Sequence, residues 1–257
     1  MARKKKTIPG WKALLLMTGV MLLMAAGIYG YMQWKEYHVH FVRYTAFGID
    51  IPVNYTVHGI DVSHHQDVID WEEVRRMNVE DMQLGFVFIK ATEGLESVDR
   101  QFKRNWYNAR EEGMTRGAYH FFLPTKSARK QADNFIAQVT LEPGDLPPVL
   151  DVEKLYRVKP AILRIRVKEW LSIIEKYYKV KPIIYTNVDF YEQYLGEEFD
   201  EYPLWVAHYL QPSKPRIERD WIFWQHSETG RVNGIDNKVD FNVFYGDSLS
   251  FRQLLLN

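Results

Sequence analysis

Pro147-Pro148-Val149-Leu150-Asp151-Val152-Glu153 is the stretch whose reading decides the fold of this chain. Two prolines open it, a short apolar run follows, and two carboxylates stand two residues apart. A strand repeats its side-chain direction every second residue, so Asp151 and Glu153 are predicted to face the same way, roughly 7 Å apart. Like charges that close raise the pKa of one partner, which suits one acid keeping its proton near neutral pH. A bare Asp-X-Glu is common and weakly specific; its place at the end of an apolar strand gives it weight.

Runs of the same kind recur on both sides. Val57-His58-Gly59-Ile60-Asp61-Val62, Phe86-Val87-Phe88-Ile89-Lys90-Ala91 and Gly117-Ala118-Tyr119-His120-Phe121 read as strands before it. Pro182-Ile183-Ile184-Tyr185-Thr186, Pro203-Leu204-Trp205-Val206-Ala207, Trp221-Ile222-Phe223-Trp224-Gln225 and a last one around Val239-Asp240-Phe241 follow it. Helical patterns alternate with these. Asp70-Trp71-Glu72-Glu73 resembles a capping box opening a helix through Met77, and Phe102, Trp106 and Ala109 share one helical face. Ser127 to Val139 and Ala161 to Tyr178 read as further helices, the latter with Ile162, Ile165, Trp170 and Ile173 as buried candidates. Near-continuous apolar strands alternating with helices indicate an α/β fold with a parallel sheet. About eight strands in roughly 200 residues point to an irregular (β/α) TIM-like barrel. An open doubly wound sheet is the runner-up, but it would favour a glycine-rich loop after the first strand, where His64-His65-Gln66 stands.

The N-terminus has a different character. Arg3, Lys4, Lys5 and Lys6 precede an uncharged run over residues 13–31, which as a helix would reach roughly 28 Å, close to a hydrocarbon core. One transmembrane helix is therefore expected ahead of the barrel, with residues 1–12 cytoplasmic and the remainder exported. A cleaved signal peptide is the competing reading, since Ala25-Ala26-Gly27 offers small residues. Residues 32–56 carry Phe41, Tyr44, Phe47, Ile49, Ile51 and Tyr55, so they read as a juxtamembrane arm lying across the surface of a barrel over residues 57–257.

Lys and Arg total 33 against 33 for Asp and Glu, so nothing points to nucleic acid as a partner. The chain has no cysteine, which removes disulfides, zinc thiolates and thiol nucleophiles.

In a parallel barrel the carboxyl ends of all strands converge on one mouth, where active sites are built. Asp61, Glu93, His120, Asp151, Glu153, Tyr185, Asn187, His208, Tyr209, Gln225, His226 and Asp240 all lie at or just past such ends. Glu93 or Asn187 alone would be a turn residue by default. Asp61, Asp151, Glu153 and Asp240 together, with Tyr119, Tyr185, Trp205 and Trp224 interleaved, describe a carbohydrate cleft. Trp71, Trp106 and Trp170 sit in helical patterns and read as core. A metal site using His64, His65 or His120 lacks a His-X-His or His-Glu-X-X-His spacing, and a serine hydrolase would want a Gly-X-Ser-X-Gly elbow. Glycoside hydrolysis, which needs a protonated acid and a second group for a cationic transition state, fits best, and no cofactor is expected.

Gly59-Ile60-Asp61-Val62-Ser63-His64-His65-Gln66, Lys90-Ala91-Thr92-Glu93-Gly94, Tyr119-His120-Phe121, Leu150-Asp151-Val152-Glu153, Leu204-Trp205-Val206-Ala207, Trp224-Gln225 and Val239-Asp240-Phe241-Asn242 occur in this order. The series resembles glycoside hydrolase family 25, the Chalaropsis-type lysozymes, from about Val57 to Tyr245. That resemblance implies an N-acetylmuramidase cutting the β-1,4 bond between N-acetylmuramic acid and N-acetylglucosamine in peptidoglycan, on an irregular β/α barrel without a metal. It implies Glu153 as general acid/base, Asp151 as its assistant, and Asp61 and Asp240 as completing the acidic cluster. Tyr119, Tyr185, Trp205 and Gln225 are subsite candidates. Asp67 stands where many relatives have glycine, and the arm has no counterpart. Two carboxylates side by side on one strand also argue against direct displacement, whose groups flank the sugar from opposite faces. Attack by the substrate's own 2-acetamido group, with retention, is the expectation; Asp61 or Asp240 as nucleophile or base is the rival.

Overall fold

The computed structural model of the chain describes residues 9–37, 39–80 and 82–257. It divides into two compact units, Met1–Val39 with Pro212–Lys214, and His40–Gln211 with Pro215–Asn257. The first holds helix α1 (Gly10–Tyr37). Its stretch Gly10–Met32, 23 residues of mean hydropathy 2.0, is long and apolar enough to cross a membrane. Leu14, Leu15, Leu16, Leu22 and Leu23 are all exposed, so the helix is apolar all round, a pattern suited to lipid. The expected basic cluster Arg3–Lys6 lies outside the described residues.

The second unit opens with an antiparallel hairpin, β1 (Phe41–Tyr44) and β2 (Ile49–Pro52). There follow β3 (His58–Val62), α2 (Trp71–Arg76), β4 (Asn78–Val79), β5 (Met82–Glu93), β6 (Ser97–Val98), α3 (Phe102–Glu111), β7 (Thr115–Phe121), α4 (Ala128–Gln138), β8 (Val149–Asp151) and α5 (Pro160–Tyr178). The chain continues through β9 (Ile183–Asn187), α6 (Val188–Phe190), β10 (Leu204–Ala207), β11 (Phe223–Val232), β12 (Ile235–Phe244) and α7 (Ser248–Leu254). Helix starts follow local chemistry: the Asp70 carboxylate accepts from the Glu73 N–H, the Ser127 hydroxyl from Lys130 N–H, and Pro160 occupies the first turn of α5.

Eight strands close into a barrel in the order β3-β5-β7-β8-β9-β10-β11-β12 and back to β3. Neighbours from β3 round to β11 are parallel, as expected. The last strand departs from that expectation: β12 runs antiparallel to both β11 and β3. The reason is local. Val232 pairs with Ile235 across the two residues Asn233-Gly234, with Gly234 at φ 83°, so β11 folds straight back as a hairpin with no crossover helix.

Strand parity sorts the side chains. Phe86, Phe88, Val149, Ile183, Tyr185, Trp205, Phe223 and Phe244 point inward and form one buried cluster. Phe88 stacks on Trp205 with centroids 4.3 Å apart. A Cβ on Gly59 would meet Phe86 at 2.5 Å and one on Gly117 would meet Phe88 at 2.6 Å, so two inward glycines make room for two inward phenylalanines. The alternate residues face the helices. On α5 these meet Leu163, Val167, Trp170, Leu171 and Ile174; of the expected buried set only Trp170 is buried, while Ile162 and Ile165 are exposed and Ile173 is half-buried. The helix is rotated so that Leu163, Val167, Trp170, Leu171 and Ile174, rather than Ile162, Ile165 and Ile173, face the sheet.

The β1–β2 hairpin packs on the barrel wall. Phe47, Ile49 and Ile51 are buried, the Phe47 ring lies 5.3 Å from that of Phe241, and Phe41 meets Trp224 edge-on at 6.0 Å. The Phe47 carbonyl accepts from the Arg231 N–H at 2.9 Å, tying the hairpin to β11.

Candidate active site

The inward positions change character toward the carboxyl ends of the parallel strands. On β5 the series Leu84, Phe86, Phe88 ends in Lys90; on β8 Val149 is followed by Asp151 and then Glu153. These ends open onto a cavity of about 430 Å³ lined by Asp61, Tyr119, Asp151, Glu153, Tyr185, Trp205, Gln225 and Asp240. All eight residues expected at the site thus border one cavity. Lys90, Glu93, Phe121, Lys154, Tyr156, Tyr209 and Glu228 complete much of its wall.

Asp151 and Glu153 differ in setting. Asp151, the last residue of β8, is 7% exposed, and its Oδ1 has no hydrogen-bond partner among the described residues. Burial, then the neighbouring Glu153 charge, holds its carboxyl well above the usual range. Glu153 lies beyond the strand end and is half-buried. Burial raises its pKa, while the ammonium groups of Lys154 and Lys90 pull it back. Lys90 is held at the wall by Glu93 (2.7 Å) and sits 4.8 Å from the Phe121 ring centroid. Both carboxyls are thus raised by burial, Asp151 further by its neighbour's charge, while Glu153 alone of the pair lies beyond the strand end, with two ammonium groups near it.

Across the cavity, Asp61 and Asp240 face each other as paired residues of β3 and β12. Asp61 Oδ2 accepts from Gln225 Nε2 at 2.7 Å and from Asn242 Nδ2 at 2.8 Å. Burial and the Asp240 charge raise the Asp61 pKa well above its ordinary value; burial pushes Asp240 to about 6, opposed by a hydrogen bond from Asp61. The two carboxyls are hydrogen-bonded to each other, an arrangement that disfavours both being ionised at once. The two amides are themselves locked in orientation. Gln225 Oε1 accepts from the Tyr185 hydroxyl at 2.7 Å and from the Tyr209 hydroxyl, and Asn242 Oδ1 accepts from Trp205 Nε1 at 2.7 Å. Trp205 and Gln225 are each only 2% exposed, so they form the cavity's floor. Burial and the surrounding carboxylates hold the Tyr119 phenol above its ordinary range.

Not every strand-end polar residue reaches the mouth. His120 points outward, where its Nδ1 pairs with Thr92 Oγ1 (2.7 Å), its Nε2 with Gln131 Oε1 (3.2 Å), and its ring stacks on Trp170. His226 also faces outward, buried beside Trp224. Asn187 caps α6 through the Phe190 N–H. Parity explains the two histidines, since His120 and His226 are one residue out of step with Tyr119 and Gln225, while Asn187 keeps the turn role expected of it by default. Sequence reasoning assigned no role to Asn242, Lys90, Lys154 or Glu228; for Asn242 the signal was its period-2 spacing from Asp240. Among the described residues no group of three or more His, Asp or Glu is arranged to hold a metal ion.

Comparison with known proteins agrees with this architecture. The model of the family "Glycosyl hydrolases family 25" matches residues 60–235. The Escherichia coli protein YegX (strain CFT073) is 49% identical over 218 residues, covering 84% of this chain and 80% of the relative. Lysozyme M1 of Streptomyces globisporus is 34% identical over 220 residues, covering 78% of this chain and 72% of that protein. Among solved structures, a family 25 glycosyl hydrolase from Bacillus anthracis superposes with a TM-score of 0.73 at 32% identity, covering 85% of this chain and 98% of the other. A family GH25 lysozyme from Aspergillus fumigatus gives a TM-score of 0.67 at 26% identity, covering 78% and 99%.

Proposed function

This chain belongs to glycosyl hydrolase family 25 and is a glycosidase, and from that premise we propose that it is a muramidase cutting the β-1,4 bond between N-acetylmuramic acid and N-acetylglucosamine in peptidoglycan. The observation that carries the reading is the unequal pair: Glu153 reaching into the open cavity, and Asp151 beneath it with an unpartnered Oδ1. In this reading Glu153 protonates the leaving oxygen and later activates water. Asp151 receives the N–H of the substrate's 2-acetamido group, whose carbonyl attacks the anomeric carbon.

An N–H donated to Asp151 Oδ1 favours its anion, so substrate binding favours the pair's proton residing on Glu153, where it is needed. Two successive inversions give retention. Because Asp61 is committed to Gln225, Asn242 and Asp240, its part is electrostatic: with Asp240 it keeps negative charge facing a cationic transition state. Asp240, with its pKa at about 6, is the rival base for an attacking water. The N-terminal helix, over about residues 13–31, holds residues 57–257 on the exported side of a membrane with residues 32–56 as connecting arm; a cleaved leader is the other use of such a helix.

Mass spectrometry of muropeptides released from purified sacculi tests the bond: reducing ends on N-acetylmuramic acid are expected, and reducing N-acetylglucosamine overturns the assignment. Time-resolved analysis of the first-formed anomer tests the mechanism. Retention is expected, and inversion would transfer the base role to Asp240.

A further inference from the structure

A second concavity, about 390 Å³, lies between the β1–β2 hairpin and the β11–β12 hairpin, lined by Arg43, Thr45, Gly48, Thr229, Arg231 and Lys238. Its chemistry is the reverse of the cleft's. Three cationic side chains from three strands converge there beside two hydroxyls. The nearby counter-charge is Asp50, 3.6 Å from Arg43, both side chains being 59% exposed. Gly48, at φ 69°, lets the Arg231 stem pass over the hairpin turn, with its Cδ 3.8 Å from where a Cβ would stand. Arg43, Thr45, Gly48 and Lys238 lie outside residues 60–235, the stretch the family model matches, whereas Thr229 and Arg231 lie within it.

The same two strands, β11 and β12, contribute to both the groove and the cleft. Glu228 and Asp240 line the cleft, Thr229 and Lys238 the groove. Lys238 and Asp240 share a face of β12 two residues apart, roughly 7 Å, which is on the order of one sugar unit. We propose that this groove receives the carboxylate-bearing peptide stem carried by the glycan strand as that strand lies in the cleft. The inference rests on the peptidoglycan reading above. An acid-rich cleft repels an anionic substrate, and a basic groove beside it offsets that repulsion and sets which sugar of the repeat meets Glu153. Two threonine hydroxyls and a forked guanidinium suit carboxylate oxygens.

The test uses the full chain in detergent, on glycan strands that keep their stems and on strands stripped of them. For Arg231→Glu with Lys238→Glu, kcat/KM on stem-bearing strands is expected to fall about tenfold, mainly through KM, and to stay within about twofold on stripped strands. The neutral pair Arg231→Gln with Lys238→Gln should give an intermediate loss, and added salt should slow the native chain more on stem-bearing strands. Equal losses on both substrates, or none, overturn the proposal. Binding of an isolated acidic stem peptide to the Glu153→Gln chain separates the groove from the activity. Binding that charge reversal abolishes supports the groove even if neither glycan is cut; no binding overturns it. If glycerol phosphate binds there and the peptide does not, the groove is a phosphate or lipid-headgroup site instead.

Discussion

Asp151 and His226 are both buried polar residues at the ends of barrel strands, each with unpartnered atoms, yet they do opposite things. Asp151 faces inward onto the cleft, where an orphaned oxygen can be met by substrate. His226 faces the barrel's outer wall beside His58, and burial holds the two imidazoles down to about 3 and about 4. They are neutral wall groups. Burial and a shifted pKa therefore do not mark a functional residue here; opening onto the cavity does.

The largest expected effect lies at Glu153. Glu153→Gln should lower turnover on sacculi about a thousandfold while leaving the melting temperature essentially unchanged, as loss of a general acid does. A folded variant that still digests the wall would break the contrast between cleft and wall. Asp151→Asn should cost about a hundredfold, and a thiazoline mimic of the cyclised sugar should bind this variant more weakly than the native chain. Asn242→Ala, which strips hydrogen bonds from both Asp61 and Trp205, should cost roughly tenfold in rate and about 2 kcal/mol in stability by urea unfolding.

The two remaining tests compare pH dependence. Asp240 is raised from 3.8 to about 6 on folding, so the folded chain binds more protons between those values and this group makes stability fall as pH rises through them. Asp240→Asn should gain on the native chain across that window and hold its advantage above it. His226 is lowered from 6.5 to about 3, so the unfolded chain binds more protons and stability falls as pH falls through that range. His226→Leu should unfold less readily in acid, with kcat per folded molecule within about twofold of the native value. A change in kcat would place the outer wall in the chemistry after all.

Much of the barrel was legible because its strands are short apolar runs closed by acids, as at Leu150-Asp151 and Ile60-Asp61. The antiparallel turn of β12 has a signal in Asn233-Gly234 between β-prone runs, which the expectation of a parallel barrel passed over. The outward face of His120 and His226 followed from parity with Tyr119 and Gln225. The buried face of α5 did not: Ile162, Ile165 and Ile173 satisfy helical spacing as well as Leu163, Val167, Leu171 and Ile174 do, and only packing against the sheet chooses between them.

Spacing along single strands by itself determined that Asp151 and Glu153 share a direction, because the two-residue period is a property of extended backbone. Its apolar punctuation likewise determined the α/β alternation. Closure of the sheet decided the rest. It brought Asp61 opposite Asp240, placed Gln225 and Asn242 to lock one carboxyl, and set Lys238 beside Arg43 across nearly two hundred residues. Those pairings depend on register between strands far apart in sequence, and register is set by how the inward phenylalanines and glycines fill the barrel.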